Sequence, residues 1–246
     1  MRNIWVIARR EYKYYFISPL AYAVAFLFLL VLGWFFYRNI TSIYVQSLSQ
    51  PINPDIRMVI GPLVTILLFT MPALTMRSIA EENRMGTLEI LLTAPVRDWE
   101  LVIGKWLGSV LFLATLLAIT WIYPIALNNM VDPGIDQGPL VTGMLGLLLM
   151  AASLIAIGVA ISACFSNQIA AFFVSLVVVL VIWLVRPASA AVSGLGGQVL
   201  SYLNYVDHFL PFYQGVISVS DLVYFISITI LGLVIGTVLV EVRRWR

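Results

Sequence analysis

Charged side chains are scarce in this sequence. Lys, Arg, Asp and Glu make up 11% of its 246 residues, whereas hydrophobic residues make up 61%. Soluble domains usually carry about a quarter of their residues as charged side chains. The composition therefore excludes an ordinary soluble protein and indicates an integral membrane protein. Because the net charge is only +2 and the basic residues are dispersed, we expect no nucleic acid among its partners.

Cysteine and histidine are also nearly absent. The single cysteine, Cys164, excludes a disulfide framework and a cysteine-based metal site, and we expect it to be a small core residue. The single histidine, His208, follows Asp207, but one histidine without further ligands predicts neither a metal site nor a catalytic site. We expect these two side chains to form a structural hydrogen-bonded pair. No phosphate-binding G-x-x-x-x-G-K-[ST] motif is present, so the chain by itself is not predicted to be an enzyme.

Long apolar runs dominate what is present. A helix needs roughly 20 mostly apolar residues to cross a hydrocarbon core about 30 Å thick. We place six such spans at about residues 20–37, 59–76, 107–127, 140–165, 169–185 and 222–240. The predicted fold class is an all-α, polytopic membrane protein with one domain, residues 1–246. Residues 188–220 contain one moderately apolar stretch, residues 199–213, which is too short and too polar for a membrane span. We interpret this segment as external or re-entrant short helices.

Basic residues predict the orientation, because cytoplasmic loops carry an excess of Lys and Arg. With six spans both termini lie on one side of the membrane, and eleven of the fourteen basic residues fall on that side. The three on the other side are Arg38, Arg57 and Arg186. Both termini are therefore predicted to be cytoplasmic.

The first helix, predicted over residues 2–16, has two different faces. At about 100° per residue, one side carries apolar and aromatic residues: Ile4, Trp5, Ala8, Tyr12, Tyr15 and Phe16. The other side carries basic residues: Arg2, Arg9, Arg10 and Lys13. This pattern is typical of a helix that lies in the headgroup layer, although a plain cytoplasmic extension stays open. The expected membrane-interface residues are Trp5, Arg9, Arg10, Tyr12 and Lys13.

The longest charged segment, residues 77–105, lies between the second and third spans. We call it the coupling loop. We expect the helix of the second span to continue to Met85 and to end at Gly86, whose backbone torsions are unrestricted. Asp98 is expected to cap the helix that leads into the third span.

A short helix is predicted inside the coupling loop. Thr87 is expected to cap it, Glu89 lies in its first turn, and Pro95 ends it. Its apolar face consists of Leu88, Leu91 and Leu92. A short helix with an exposed leucine face is suited to a groove on another protein.

These segments resemble the membrane subunits, or permeases, of ABC-2 type ABC transporters, and among them the gliding-motility GldF-like group. Residues 71–107, MPALTMRSIAEENRMGTLEILLTAPVRDWELVIGKWL, contain the pattern E-E-x-x-x-G-T-L-E-x-L-L-x-x-P-V. Residues 8–22 are similar to the family's interfacial helix, and residues 205–227 resemble its last external segment.

The resemblance implies the permease subunit of an ATP-driven transporter, expected to be an exporter in the bacterial cytoplasmic membrane. The expected partners are two cytoplasmic ATP-binding subunits, an identical or different second permease subunit, membrane lipids and, as a further candidate, an auxiliary extracytoplasmic protein. ATP and Mg would bind the ATPase subunits, and no cofactor is expected on this chain. The implied ATPase contacts are Glu81, Glu82, Arg84, Gly86, Thr87, Leu88, Glu89, Leu91 and Leu92. The candidate external gate residues are Asp207, His208, Phe209 and Phe212.

Three other functions are alternatives to a permease. The spans contain almost no ionisable residues, which argues against an ion-coupled transporter, and they lack the residue sets of an intramembrane enzyme. A non-transporting membrane anchor or mechanical transducer, for an ATPase-driven envelope or gliding-motility complex, stays open.

Two glycine-containing motifs are also present. Residues 194–198, GLGGQ, echo the LSGGQ signature of ABC ATPases, but we interpret them as a flexible external turn. Gly232 and Gly236 have the G-x-x-x-G spacing that allows two membrane helices to approach closely.

Overall fold

The computed structural model describes residues 2–47, 54–87, 96–131, 134–191 and 194–244. These ranges contain eleven assigned helices and no strand. The helices are α1 (Arg2–Ile17), α2 (Pro19–Ser47), α3 (Arg57–Thr75), α4 (Ala80–Arg84), α5 (Asp98–Ile119), α6 (Ile122–Met130), α7 (Gln137–Cys164), α8 (Gln168–Ala191), α9 (Leu195–Tyr202), α10 (Tyr205–Tyr213) and α11 (Val219–Arg244). The all-helical fold class is therefore confirmed.

Six segments of the described chain are long and apolar enough to cross a membrane, as predicted. They are Pro19–Ser47, Arg57–Arg84, Asp98–Met130, Gln137–Cys164, Gln168–Val185 and Val219–Arg243. Their order and number match the six spans of the sequence interpretation. The short helices α9 and α10 fall in the segment that was interpreted as external or re-entrant, and their depth in the membrane stays a prediction.

Helix α7 forms the centre of the bundle and packs against α3, α5, α8, α10 and α11. Glycines of α11 let the backbone of that helix come close to α7 and α5. A Cβ atom added at Gly232 of α11 would lie 2.9 Å from the carbonyl carbon of Ala156 in α7, and one at Gly236 would lie 3.2 Å from Val102 Cγ1 in α5. Such short distances confirm the close helix approach predicted from the G-x-x-x-G spacing.

Helix α1 packs along the first half of α5, and glycines of α5 make this contact possible. A Cβ atom at Gly104 would lie 2.7 Å from Ile7 Cβ, and one at Gly108 would lie 2.7 Å from Glu11 Cβ. Consequently Ala8 and Tyr15 are buried, with 0% and 2% exposure. Helix α5 therefore covers part of the apolar face of α1, the face that was predicted to contact the headgroup layer.

We expect Gly108→Val to lower the free energy of unfolding by about 1–3 kcal/mol, because the added methyl groups overpack the α1–α5 contact. Denaturant titration in detergent, followed by tryptophan fluorescence, measures this change. Gly61→Val is the matched control, since the nearest atom to its added Cβ is the Tyr213 hydroxyl at 3.8 Å. Equal effects of the two substitutions would contradict the close packing of α1 on α5.

Several helix ends differ from the sequence interpretation. Helix α2 continues beyond Arg38 to Ser47, because residues 38–47 contain neither proline nor glycine. The helix of the third span is interrupted by a turn at Thr120 and Trp121. Pro124 explains this break, because in a continuous α-helix its ring would clash with the carbonyl of Thr120, four residues earlier. Helix α8 continues through Pro187 to Ala191, because a proline can kink a helix without ending it.

Two further expectations are wrong. Cys164 is exposed, because it is the last residue of α7 and lies at the end of the bundle rather than in the core. Residues 195–198 begin helix α9 instead of forming a flexible turn, and only Gly194 has the turn conformation, with φ +83°.

Candidate functional site

The described part of the coupling loop lies at the same end of the bundle as the start of α1 and the end of α11. Asn83 Nδ2 donates to the Phe165 carbonyl oxygen at 3.2 Å, and Arg243 Nη2 donates to the Cys164 carbonyl oxygen at 2.7 Å. Asn3 Nδ2 donates to Glu100 Oε2 at 3.1 Å. These contacts place the first helix, the loop, the α7–α8 turn and the end of α11 together.

The structure describes five of the nine expected ATPase-contact residues: Glu81, Glu82, Arg84, Gly86 and Thr87. The other four lie outside the described residues: Leu88, Glu89, Leu91 and Leu92. The predicted short helix with its leucine face, and the expected cap by Thr87, therefore stay predictions. The Thr87 hydroxyl donates to the Glu82 carbonyl oxygen at 3.3 Å.

The start of helix α4 is fixed by one serine of α7. Ser162 Oγ accepts hydrogen bonds from the backbone N–H groups of Ile79 and Ala80, at 3.1 and 3.0 Å, and donates to the Met76 carbonyl oxygen at 3.3 Å. The first N–H groups of a helix have no partner within the helix, and here a neighbouring helix supplies the acceptor. Sequence reasoning missed this contact, because Ser162 is separated from α4 by some eighty residues.

The sequence predicted one continuous helix from the second span to Met85, ending at Gly86. The structure agrees with the predicted end but not with the continuity. Gly86 has φ +69°, a left-handed conformation that glycine adopts without strain, so the helix ends where expected. Residues 76–79 form turns rather than a continuation of α3. The hydrogen bonds that Ser162 makes across this segment explain why the two helices are separate elements.

A group of charges around a buried lysine connects the coupling loop to α1 and α5. Lys105 Nζ lies 2.9 Å from Glu82 Oε1 and 3.4 Å from Glu11 Oε2, and it donates to the Ser78 carbonyl oxygen at 2.6 Å. Arg10 Nη2 lies 3.3 Å from the same Glu82 oxygen. The Lys105 side chain is only 1% exposed. We call Arg10, Glu11, Glu82 and Lys105 the charge cluster.

The charge cluster was not predicted from the sequence. Lys105 was assigned to a charged loop, although it lies in helix α5 and is buried. The sequence feature that could have indicated the cluster is Glu11, the only acidic residue in α1. An acidic residue on an otherwise basic helix is expected to pair with a cation that another element brings close.

Arg77 and Tyr15 form a second connection between α1 and the coupling loop. The Arg77 guanidinium donates to the Ser18 hydroxyl and lies 5.1 Å from the centre of the Tyr14 ring, a distance typical of a cation–π contact. The Tyr15 hydroxyl donates to the Leu74 carbonyl oxygen at 3.0 Å and contacts Ser109 Oγ at 2.9 Å. Burial, and then the negative charge of Glu11, raise the pKa of the Tyr15 phenol, so this hydroxyl stays a hydrogen-bond donor.

The expected membrane-interface residues divide into two groups. Trp5, Arg9 and Lys13 are exposed, which is compatible with contact to headgroups. Arg10 is exposed as well, but it pairs with Glu82 in the charge cluster. The Tyr12 hydroxyl contacts Thr115 Oγ1 at 3.0 Å. The location of α1 in the headgroup layer stays a prediction.

The N-cap of α5 is Arg97 rather than Asp98, which corrects the sequence interpretation. Glu100 Oε2 accepts from the Arg97 backbone N–H at 3.1 Å. Because this carboxylate also accepts from Asn3, the same hydrogen-bonding group fixes the start of α5 and the start of α1.

The candidate external gate residues lie along α10, towards the other end of α7. His208 Nδ1 lies 2.7 Å from Asp221 Oδ1, and its Nε2 lies 2.8 Å from the Tyr202 carbonyl oxygen. The expected pairing of His208 with Asp207 is therefore wrong. Neighbouring residues of a helix point in different directions, and Asp207 instead accepts from Asn204 at the helix N-terminus.

The two phenylalanines of this group are packing residues in the structure. Phe209 and Phe212 are 4% and 0% exposed, and a Cβ atom at Gly146 of α7 would lie 2.6 Å from Phe212 Cβ. Thr142 Oγ1 of α7 donates to the Phe212 carbonyl oxygen at 2.8 Å. Helix α10 is thus fixed to α7, and a gate function for its residues stays a prediction.

Comparison with protein families identifies the family of this chain. The sequence model of the ABC-2 family transporter proteins matches residues 37–241, which include the described part of the coupling loop, α7 and α10. A search of curated proteins found no match.

Proposed function

Because the chain belongs to the ABC-2 family of transporter proteins, we propose that it is a permease subunit that works as an exporter driven by a separate cytoplasmic ATPase. The chain itself is a multi-pass membrane component with six candidate membrane-spanning helices. In this proposal two ATP-binding subunits carry ATP and Mg, and a second permease subunit completes the membrane pathway. We place the assembly in the bacterial cytoplasmic membrane, with both termini cytoplasmic, and the chain in the GldF-like group.

The observation that carries the proposal is the attachment of α4 to three other helices. Glu82 lies against Arg10 of α1 and Lys105 of α5, while Ser162 and the Phe165 carbonyl oxygen of the α7 end hold residues 79–83. Helix α4 directly precedes the leucine-rich part of the coupling loop. A displacement of that loop by an ATPase subunit would therefore be passed to α1, α5 and α7 together.

The charge cluster makes this attachment stiff. Ion pairs that are removed from water have strong geometric requirements, because each charge must keep its partners to offset its desolvation. The loop is consequently expected to move with α1 and α5 rather than independently of them. This is the mechanical property that coupling of ATP hydrolysis to a membrane pathway needs.

The first test is co-purification of the chain with a candidate ATP-binding subunit. We expect the double substitution Leu88→Asp and Leu91→Asp to reduce recovery of the ATPase roughly tenfold or more, because it places two charges in an apolar contact. Complex recovery and ATPase rate are measured on the same preparations. The matched control is Leu203→Asp with Leu210→Asp, two exposed leucines towards the other end of α7.

Three outcomes separate the proposals. Loss of the ATPase in the loop variant alone supports the coupling loop as its binding surface. Equal recovery in both variants would contradict that assignment. Recovery of an active complex that moves no substrate in a vesicle assay would instead support the anchor or mechanical transducer.

A further inference from the structure

A surface groove of about 610 Å³ lies between α1 and the second half of α5. We call it the α1–α5 groove. Its volume is in the range of small-molecule sites, which are typically a few hundred Å³ or more. The two helices contribute walls of different chemistry, and this difference indicates what the groove binds.

The wall that α5 contributes is apolar. It consists of Leu111, Ala114, Thr115 and Ala118, whose spacing of three and four residues places them on one face of the helix. The Thr115 hydroxyl already donates to the Leu111 carbonyl oxygen at 2.9 Å and contacts the Tyr12 hydroxyl. All four residues belong to the candidate span Asp98–Met130. This wall therefore suits a hydrocarbon chain.

The wall that α1 contributes is basic and aromatic. It consists of Trp5, Arg9, Tyr12 and Lys13. Arg9 and Lys13 are exposed and lie one helical turn apart, and both charged side chains among the described lining residues are thus cationic. Trp5 is 57% exposed, and tryptophan is enriched at the boundary between membrane and water. This wall is complementary to an anion at that boundary.

The two walls are held together by direct contacts between α1 and α5. The Tyr12 hydroxyl lies 3.0 Å from Thr115 Oγ1. The rings of Tyr15 and Phe112 are stacked, with their centres 4.7 Å apart, and the Phe16 ring lies edge-on to Phe112 at 5.5 Å. The groove is therefore formed before a ligand arrives, as small-molecule sites usually are.

The combination of the two walls restricts the class of ligand. A soluble anion would use only the basic wall, and an uncharged hydrocarbon would use only the apolar wall. A phospholipid with a net negative headgroup uses both, because its phosphate meets the cations and its acyl chain follows the span. Basic residues beside a membrane are attracted to such lipids.

We propose that the α1–α5 groove binds one phospholipid with a net negative headgroup, of the phosphatidylglycerol type. The phosphate lies between Arg9 and Lys13, where the arginine guanidinium donates two hydrogen bonds to its oxygens. One acyl chain lies along Leu111, Ala114 and Ala118. Binding of this lipid requires neither an ATPase nor transport, so the proposal is independent of the proposed function.

Native mass spectrometry of the purified chain tests the selection by charge. The probes are phosphatidylglycerol and phosphatidylcholine with identical acyl chains. We expect phosphatidylglycerol to be retained roughly tenfold better, because the choline cation of the other lipid opposes the two basic side chains. Equal retention of the two lipids would overturn the proposal.

Arg9→Gln tests the basic wall. We expect this variant to retain phosphatidylglycerol roughly fivefold to tenfold less than the unmodified chain. Arg38→Gln is the matched control, since Arg38 is also exposed and follows a tryptophan, Trp34, by four residues, as Arg9 follows Trp5. Both variants lose one positive charge, but Arg38 does not line the groove. Equal losses in the two variants would mean that net charge alone attracts the lipid.

Ala118→Phe tests the apolar wall without a change of charge. The added ring fills the groove, and we expect retention of phosphatidylglycerol to fall roughly fivefold to tenfold. Ala118 is exposed, so the larger side chain does not disturb the core. Ala23→Phe is the control, because Ala23 is also an exposed alanine of a candidate span but lies in α2. Undiminished retention by Ala118→Phe would exclude this groove.

Soluble glycerol phosphate is added in a separate competition experiment, because it carries the phosphate without acyl chains. We expect no displacement of phosphatidylglycerol at millimolar concentration, since the soluble compound gains nothing from the apolar wall. Displacement would identify a simple anion site on α1 and would overturn the assignment to a lipid.

Discussion

Replacement of Lys105 by Met is expected to lower the free energy of unfolding by about 3–5 kcal/mol. Lys105 Nζ lies within 3.4 Å of both Glu11 and Glu82 and is almost completely buried. Removal of the ammonium group leaves two carboxylates close together with less compensating charge. The Ser78 carbonyl oxygen also loses its donor.

The chain offers a matched control for this experiment. Lys13 is the only other lysine, and its side chain is exposed, so Lys13→Met is expected to change the free energy of unfolding by at most about 0.5 kcal/mol. Denaturant titration in detergent measures both variants. Adding Glu11→Gln to Lys105→Met is expected to recover part of the loss, because one uncompensated carboxylate is removed. Equal stabilities of the two lysine variants would show that the charge cluster does not hold α1 and the loop together.

The charge cluster is better understood as a positioning device than as a source of stability. A buried ion pair gains little net free energy over a well-packed apolar contact, whereas its disruption is costly. Lys105 contacts α1, α4 and the Ser78 turn at once. It therefore fixes the relative positions of three elements whose sequences are far apart.

The membrane spans were predictable because they depend on length and hydropathy alone. A run such as residues 140–165 has no alternative to a helix in a bilayer, since every backbone polar group must be satisfied within the segment. The close approach of α11 to its neighbours at Gly232 was predictable for a similar reason, because the four-residue spacing of Gly232 and Gly236 places both glycines on one face of the helix. The break before Pro124 was also available from local chemistry, although the sequence interpretation did not use it.

Pairing partners between distant segments were not predictable in this way. Periodicity assigned Ala8 and Tyr15 to the apolar face of the first helix correctly. It gave no information on whether lipid or another helix covers that face, and α5 covers both residues. In the same way, His208 was assigned to its neighbour Asp207, whereas its partner is Asp221, thirteen residues away at the start of α11.

Replacement of Ser162 by Ala is expected to release the start of α4 from α7. Two buried backbone N–H groups, those of Ile79 and Ala80, lose their acceptor, at a cost of about 1–3 kcal/mol each. Hydrogen exchange measures this local change directly. We expect the two amides to exchange roughly thirtyfold faster or more, a factor that corresponds to about 2 kcal/mol. Ser175→Ala is the control, since it removes a buried serine hydroxyl that has no hydrogen-bond partner among the described residues.

The same variant distinguishes binding of an ATPase subunit from transmission of its motion. Ser162 lies in α7, outside the leucine-rich segment that is proposed to contact the ATPase, so Ser162→Ala is expected to leave complex recovery unchanged. Stimulation of the ATPase rate by substrate is expected to fall, because the start of α4 loses two of its hydrogen bonds to α7. This pattern is the reverse of the one expected for Leu88→Asp with Leu91→Asp, which removes binding itself. If Ser162→Ala matched the Ser175→Ala control in both amide exchange and ATPase stimulation, the Ser162 contact would not be part of the coupling path. Transmission would then have to pass through other contacts of α4, such as the charge cluster to α1 and α5.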